Sequence, residues 1–176
     1  MRAIFRVDSS SEIGSGHISR CLTLAKALRE RGFDCLFVCR DHPGNFNSWV
    51  ISAGFHVELL PVDPKLEQDC PEKPYEKWIG SSVIADAEST ISVLGEKNNE
   101  LVVVDHYGLD YVWEDKLRPH TKKIVAIDDL ANRRHNANYL LDQNLVSNHQ
   151  TRYSGLLSKD CVPLLGPEFE IGRAHV

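Results

Sequence analysis

The chain has 176 residues, 42% of them hydrophobic, and its 20 basic and 25 acidic side chains give a formal net charge of −5. This length predicts one domain with a sizeable core, and an acidic balance without a Lys or Arg run argues against nucleic-acid binding. No segment approaches the ~18 consecutive apolar residues of a membrane span, and the amino terminus lacks a secretory signal pattern, so we expect a cytoplasmic protein without a membrane partner.

Strand-like and helix-like segments alternate along the chain, which predicts an α/β fold with a Rossmann-like, doubly wound and mostly parallel sheet. The first strand is predicted at 3–7, and the first helix at 17–31, where apolar residues recur at helical spacing. Residues 62–76 are polar and contain three prolines, which predicts a long surface loop. The other predicted strands are 35–39, 56–60, 101–104, 124–127 and 139–141, and the other predicted helices are 45–53, 111–117 and one that begins at 78 or 82 and ends at 94.

The loop between the first strand and the first helix carries the strongest functional signal. Residues 8–17 read DSSSEIGSGH, so the turn Gly14-Ser15-Gly16 leads into a helix that begins with His17. A helix N-terminus presents free N–H groups and partial positive charge, and glycine lets a ligand approach the main chain. Imidazole exchanges protons near neutral pH. The segment therefore predicts an anion-binding turn beside a proton-transfer group, as in an enzyme that acts on a phosphorylated substrate.

The same turn could also be purely structural, since many α/β proteins use Gly-x-Gly only to reverse the chain. A dinucleotide site is disfavoured, because Ser19 stands where the third glycine of that fingerprint would be.

Polar residues follow four predicted strands at their carboxyl ends, where open α/β sheets bind ligands. One acidic residue at such a position is commonly a helix cap. Four groups at one edge predict a cleft. The groups are Asp8 with the serines that follow it, Asp105 with His106 and Tyr107, Asp128 with Asp129, and Gln143 with Asn144.

The five cysteines do not predict a disulfide framework or a zinc site, because their number is odd and no Cys-x-x-Cys pair occurs. Cys35 and Cys39 alternate with apolar residues, as small buried side chains do. The eight histidines do not cluster with cysteines at ligand spacing, so we expect neither a metal nor another cofactor.

Four ordered blocks of the sequence resemble one enzyme family, the UDP-2,4-diacetamido-2,4,6-trideoxy-β-L-altropyranose hydrolases of pseudaminic acid biosynthesis. Together they extend over residues 1–169. The blocks are 8–25, 103–110 with Trp113 and Glu114, 127–133 with His135, and 140–144 with Tyr153 and 165–169.

The resemblance implies the amino-terminal half of a two-domain glycosyltransferase-B fold. It also implies hydrolysis of a UDP-sugar at the anomeric carbon, without a metal, and a carboxy-terminal domain that holds most of the UDP. His17 would be the base that activates water.

Because UDP is a good leaving group, one base suffices where ordinary glycosidases need two carboxyl groups, and in-line attack predicts inversion. Arg20 would contact the substrate or Asp8, or it would simply be solvated. Tyr107 and His106 would contact the acetamido sugar, and Asp105 would brace the loop. The predicted substrate-binding residues are Asp8, Gly14, Ser15, Gly16, Arg20, Asp105, His106, Tyr107 and Asp128.

The sequence also departs from the family. Arg134 replaces a common proline, and Asn136 and Asn138 replace acidic residues. Residues 170–176 read EIGRAHV, which the codons GAG-ATC-GGA-AGA-GCA-CAC-GTC can encode, a string that looks like a common sequencing adapter. We therefore expect 170–176 to be a non-native tail and the carboxy-terminal nucleotide-binding domain to be absent.

Two further interpretations stay open, namely a glycosyltransferase with the same fold and a non-catalytic half domain that binds an acetamido sugar.

Overall fold

The computed structural model describes residues 1–63, 75–96 and 98–172. Most of the predicted surface loop 62–76, Cys70 and the last four residues of the predicted tail lie outside the described residues. Among the described residues, no helix has the length and apolar character needed to cross a bilayer.

Seven parallel strands form one sheet in the order β3-β2-β1-β4-β5-β6-β7, which confirms the predicted Rossmann-like fold. The strands are β1 (Arg2–Val7), β2 (Asp34–Arg40), β3 (His56–Leu60), β4 (Asn99–Asp105), β5 (Lys123–Ile127), β6 (Tyr139–Asp142) and β7 (Val162–Leu165). The helices are α1 (Gly16–Glu30), α2 (Asn47–Ser52), α3 (Val83–Leu94) and α4 (Tyr111–Leu117), and short 3-10 turns lie at Glu76–Ile79, Arg118–His120 and Pro167–Phe169.

Alternate residues of β1 face two separate core layers, as the period of a strand requires. Phe5 packs on the layer beneath α1 and α2, and Ile4 packs on the layer beneath α3 and α4. The chain runs outward from β1 in one direction and restarts at β4 on the other side, so the strand order reverses between these two strands. Open α/β sheets bind ligands at the carboxyl ends of such a pair.

Two regions differ from the prediction. The helix predicted to start at 78 or 82 is a 3-10 turn and then α3, because Gly80 adopts a left-handed φ of 65° and Ser82 caps α3 by accepting a hydrogen bond from the Ala85 N–H. Strand β7 was not predicted, since it is short and contains Pro163, which a strand tolerates at the edge of a sheet.

Candidate functional site

The loop after β1 builds its own turn before α1 begins. The hydroxyl of Ser10 accepts hydrogen bonds from the Glu12 and Ile13 N–H groups, and its carbonyl accepts one from the Gly14 N–H at 2.8 Å. Gly14 has a φ of 81°, a conformation that disfavours other residues.

The first turn of α1 is open on its outer side. Ser15 precedes the helix without a side-chain cap, and no acidic residue stands in the first turn. A Cβ at Gly16 would meet no heavy atom within 4 Å. The predicted anion-binding role of Gly14, Ser15 and Gly16 stays a prediction, and this geometry leaves room for it.

His17 lies at the point where the strand order reverses. Its Nδ1 is 2.6 Å from Oδ1 of Asp105, the last residue of β4. The His17 side chain keeps 9% of its surface exposed, whereas Asp105 is fully buried. Among the described residues, Nε2 has no hydrogen-bond partner, and it is not one of the buried side-chain atoms that lack a partner. The imidazole is therefore held through one nitrogen and open at the other.

Arg20 pairs with Asp105 and not with Asp8. Its Nε donates to Oδ2 and its Nη2 donates to Oδ1, each at 2.6 Å, which is the two-point geometry of a strong guanidinium–carboxylate pair. Its Nη1 lies 3.4 Å from Asp129. One turn of α1 thus supplies both His17 and its charged neighbour, and β4 supplies the carboxylate that joins them.

Tyr107 forms the aromatic wall of the site. Its ring packs edge-on against His17 with centroids 4.6 Å apart, and its hydroxyl donates to Asp129. Burial, followed by the contact with Asp129, raises the pKa of the Tyr107 hydroxyl, so it stays protonated at neutral pH. Tyr75 and Trp78 pack on the far side of the Tyr107 ring.

A cavity of about 450 Å³ opens beside Tyr75 and Tyr107. Aromatic and polar side chains surround it, which is the lining expected for a sugar-sized ligand. The lining residues are Tyr75, Glu76, Tyr107, Gly108, Asp110, Asn132, Arg133 and Arg134.

Asp8 points into the protein. Its carboxylate is 1% exposed and accepts two hydrogen bonds from Arg6 and one from the Arg40 N–H. Arg6 and Arg40 also donate to Asp86 of α3. Burial raises the pKa of Asp8, but Arg6 and His106 outweigh burial and hold it well below its ordinary value. A substrate role for Asp8 stays a prediction, and these contacts favour a bracing role.

His106 and Asp128 are likewise occupied by protein partners. His106 accepts a hydrogen bond from the Gly108 N–H and lies 3.2 Å from the Trp78 carbonyl. Asp128 is fully buried, pairs with Arg133 at 2.6 Å and accepts a hydrogen bond from Tyr153. Both remain predicted substrate-binding residues. Of the predicted set, Arg20, Asp105 and Tyr107 have side chains that contact the His17 ring.

Sequence reasoning missed three members of the site. Asp129 was noted only as part of an acidic pair, and Tyr75 and Trp78 were not considered, because they lie in and beside a segment that was predicted to be a surface loop. Two aromatic residues three positions apart in a polar, proline-rich segment were the available signal.

The fold and the site define an α/β protein with a Rossmann-like sheet and a histidine–carboxylate pair where the strand order reverses. No known family model matches the chain. The chain is 30% identical over 174 residues to the UDP-2,4-diacetamido-2,4,6-trideoxy-beta-L-altropyranose hydrolase of Campylobacter jejuni subsp. jejuni, a match that covers 98% of this chain. The resemblance predicted from the ordered blocks is thus confirmed. The chain spans about half the length of this curated relative, 52%.

Proposed function

We propose that this chain supplies the water-activating half of a nucleotide-sugar hydrolase that releases UDP and a free diacetamido sugar. The observation that carries the proposal is the pairing of His17 with Asp105 at the carboxyl ends of β1 and β4, which leaves Nε2 without a hydrogen bond to any described residue. The substrate class comes from the name of the Campylobacter jejuni relative.

In the proposed reaction, Nε2 of His17 takes a proton from a water molecule while the water oxygen bonds to the anomeric carbon. The bond between that carbon and the β-phosphate oxygen breaks, and its electron pair leaves with UDP. Attack opposite to the leaving group inverts the anomeric centre. Free N–H groups at the start of α1 offer a place for the negative charge of the pyrophosphate. A general base of this kind contributes about 10²–10⁴ in rate.

The test is product analysis in ¹⁸O-labelled water with UDP-2,4-diacetamido-2,4,6-trideoxy-β-L-altropyranose. The 176-residue chain and any longer product of its gene are both assayed. We expect UDP, a sugar labelled at the anomeric oxygen, and inversion in the fresh product by NMR. His17→Asn should lose at least about 10²-fold in turnover.

His56→Asn is the matched control, since the His56 side chain is 72% exposed on the edge strand β3. The proposal is wrong if neither protein releases UDP, or if His17→Asn retains turnover. Transfer of the sugar to an added alcohol instead of water would identify a glycosyltransferase.

A further inference from the structure

We propose that Asp105 and Arg20 are positioning residues for His17: the carboxylate holds its Nδ1–H tautomer, and the guanidinium holds the carboxylate against the ring. This inference rests on the proposed role of His17 as the base. It assigns to an ion pair at the start of α1 the control of which ring nitrogen reacts.

The carboxylate of Asp105 decides which ring nitrogen carries the proton. Burial raises the pKa of Asp105, but the hydrogen bonds from Arg20 and His17 outweigh burial and hold it below its ordinary value. The group is therefore ionised at neutral pH, and an ionised carboxylate only accepts hydrogen bonds. Since Oδ1 lies 2.6 Å from Nδ1, that nitrogen must donate, and the lone pair is left on Nε2.

Arg20 holds that carboxylate in place. Its Nε and Nη2 donate to the two oxygens of Asp105, each at 2.6 Å, and its Nη2 lies 3.1 Å from Nδ1 of His17. A guanidinium has only donors, so Arg20 cannot accept the Nδ1 proton in place of Asp105. The carboxylate of Asp105 is therefore the acceptor for Nδ1–H.

The other groups around the ring do not accept the Nδ1 proton. Tyr107 packs against the ring as a neutral phenol. The thiol of Cys21 lies 3.6 Å from Oδ2 of Asp105, and burial raises its pKa well above the ordinary value. The carboxylate of Asp129 contacts Arg20 and the Tyr107 hydroxyl. Among the described contacts, the tautomer of His17 thus depends on Asp105 and Arg20.

The experiment is a long-range ¹H–¹⁵N NMR titration of the histidine rings in the 176-residue chain, which needs no substrate. In the wild type we expect the proton of neutral His17 on Nδ1. Asp105→Asn should raise the fraction with the proton on Nε2, because an amide can donate to Nδ1. Arg20→Gln should raise the same fraction, because the carboxylate loses its charged donor. Glu12→Gln removes an exposed negative charge from the same loop and should leave the tautomer unchanged.

A proton on Nε2 in the wild type, or variants that fold and keep the proton on Nδ1, would overturn the inference. If Asp105→Asn does not fold, the wild-type tautomer and Arg20→Gln still decide. If the ion pair is merely structural, the variants should lower the melting temperature without changing the tautomer.

Where turnover is measurable, Asp105→Asn should lower kcat with little change in KM. Should the tautomer be as expected but no nucleotide sugar be hydrolysed, the proposed function fails and the positioning roles stand.

Discussion

Two histidines in this fold contact a carboxylate through the same nitrogen and at the same distance. Nδ1 of His17 is 2.6 Å from Asp105, and Nδ1 of His135 is 2.6 Å from Glu114. Their surroundings differ. Among the described residues, Nε2 of His135 is buried without a hydrogen-bond partner, whereas Nε2 of His17 is not one of these buried, unpartnered atoms. Arg20 lies against the ring of His17.

The same contact between a histidine and a carboxylate can be structural or can belong to a candidate site. The pair of His135 and Glu114 joins α4 to the segment before β6, and Glu114 also accepts a hydrogen bond from the Asn136 N–H. It is a structural connection inside the protein. The pair of His17 and Asp105 has the same local geometry but lies where the strand order reverses, beside an open helix N-terminus. Position in the fold, and not the contact itself, distinguishes a candidate base from a structural histidine.

The largest expected difference between the two histidines is in turnover. His17→Asn should cost at least about 10²-fold in rate per folded molecule, since it removes the proposed base. His135→Asn should leave the rate per folded molecule nearly unchanged. Steady-state assays at a temperature where circular dichroism shows both variants folded provide the measurement. Equal losses of turnover in the two variants would mean that His17 and His135 do not differ in role.

The stability of the fold should show the opposite order. Glu114→Gln leaves buried donors of His135 and Asn136 with a poorer acceptor, so it should lower the free energy of unfolding by about 1–3 kcal/mol. Urea denaturation followed by circular dichroism measures the change. The control is Lys122→Gln, which removes one partner of an exposed ion pair. A loss no larger than that of the control would mean that the buried pair contributes little to stability.

Much of the architecture could be predicted because its signals are local. The bounds of β3 and α4 agree with the prediction, and the polar residues after the strands do lie at one edge of a parallel sheet. Partners could not be predicted in the same way. Asp105 is 88 positions from His17, and nothing in the sequence indicates that Arg20 reaches Asp105 and leaves Asp8 to Arg6.

The inward direction of Asp8 has a physical reason that emerges only from the assembled fold. Arg6 and Arg40 lie on adjacent strands and are buried, so they need carboxylates within the core, and Asp8 and Asp86 provide them. A polar residue that follows a strand can therefore be placed at the carboxyl end of the sheet from sequence, but the direction of its side chain cannot be predicted.

The pH dependence of stability should differ between wild type and Asp105→Asn. The pKa of Asp105 is lowered from its ordinary value of 3.8 in the folded state, so its contribution is present above about pH 4 and lost as the pH falls through the folded value. The wild type should lose stability more steeply in this acidic range than Asp105→Asn. Glu12→Gln should change the acid slope little, because solvent screens its exposed ion pair. Parallel slopes for wild type and Asp105→Asn in urea titrations would contradict the expectation.

The smallest expected effect on the fold, and the one that tests the open side of His17, comes from Gly16→Ala. The new methyl group meets no heavy atom within 4 Å, and alanine restricts the unfolded chain more than glycine does, so stability should rise by about 0.4–1 kcal/mol or stay level. If pyrophosphate approaches the main chain here, the same methyl group should raise KM for the nucleotide sugar. Gly14→Ala, at a φ of 81°, should instead destabilise the turn. An unchanged KM in Gly16→Ala would place the phosphates away from the start of α1, because a ligand in contact with these N–H groups could not avoid the added carbon.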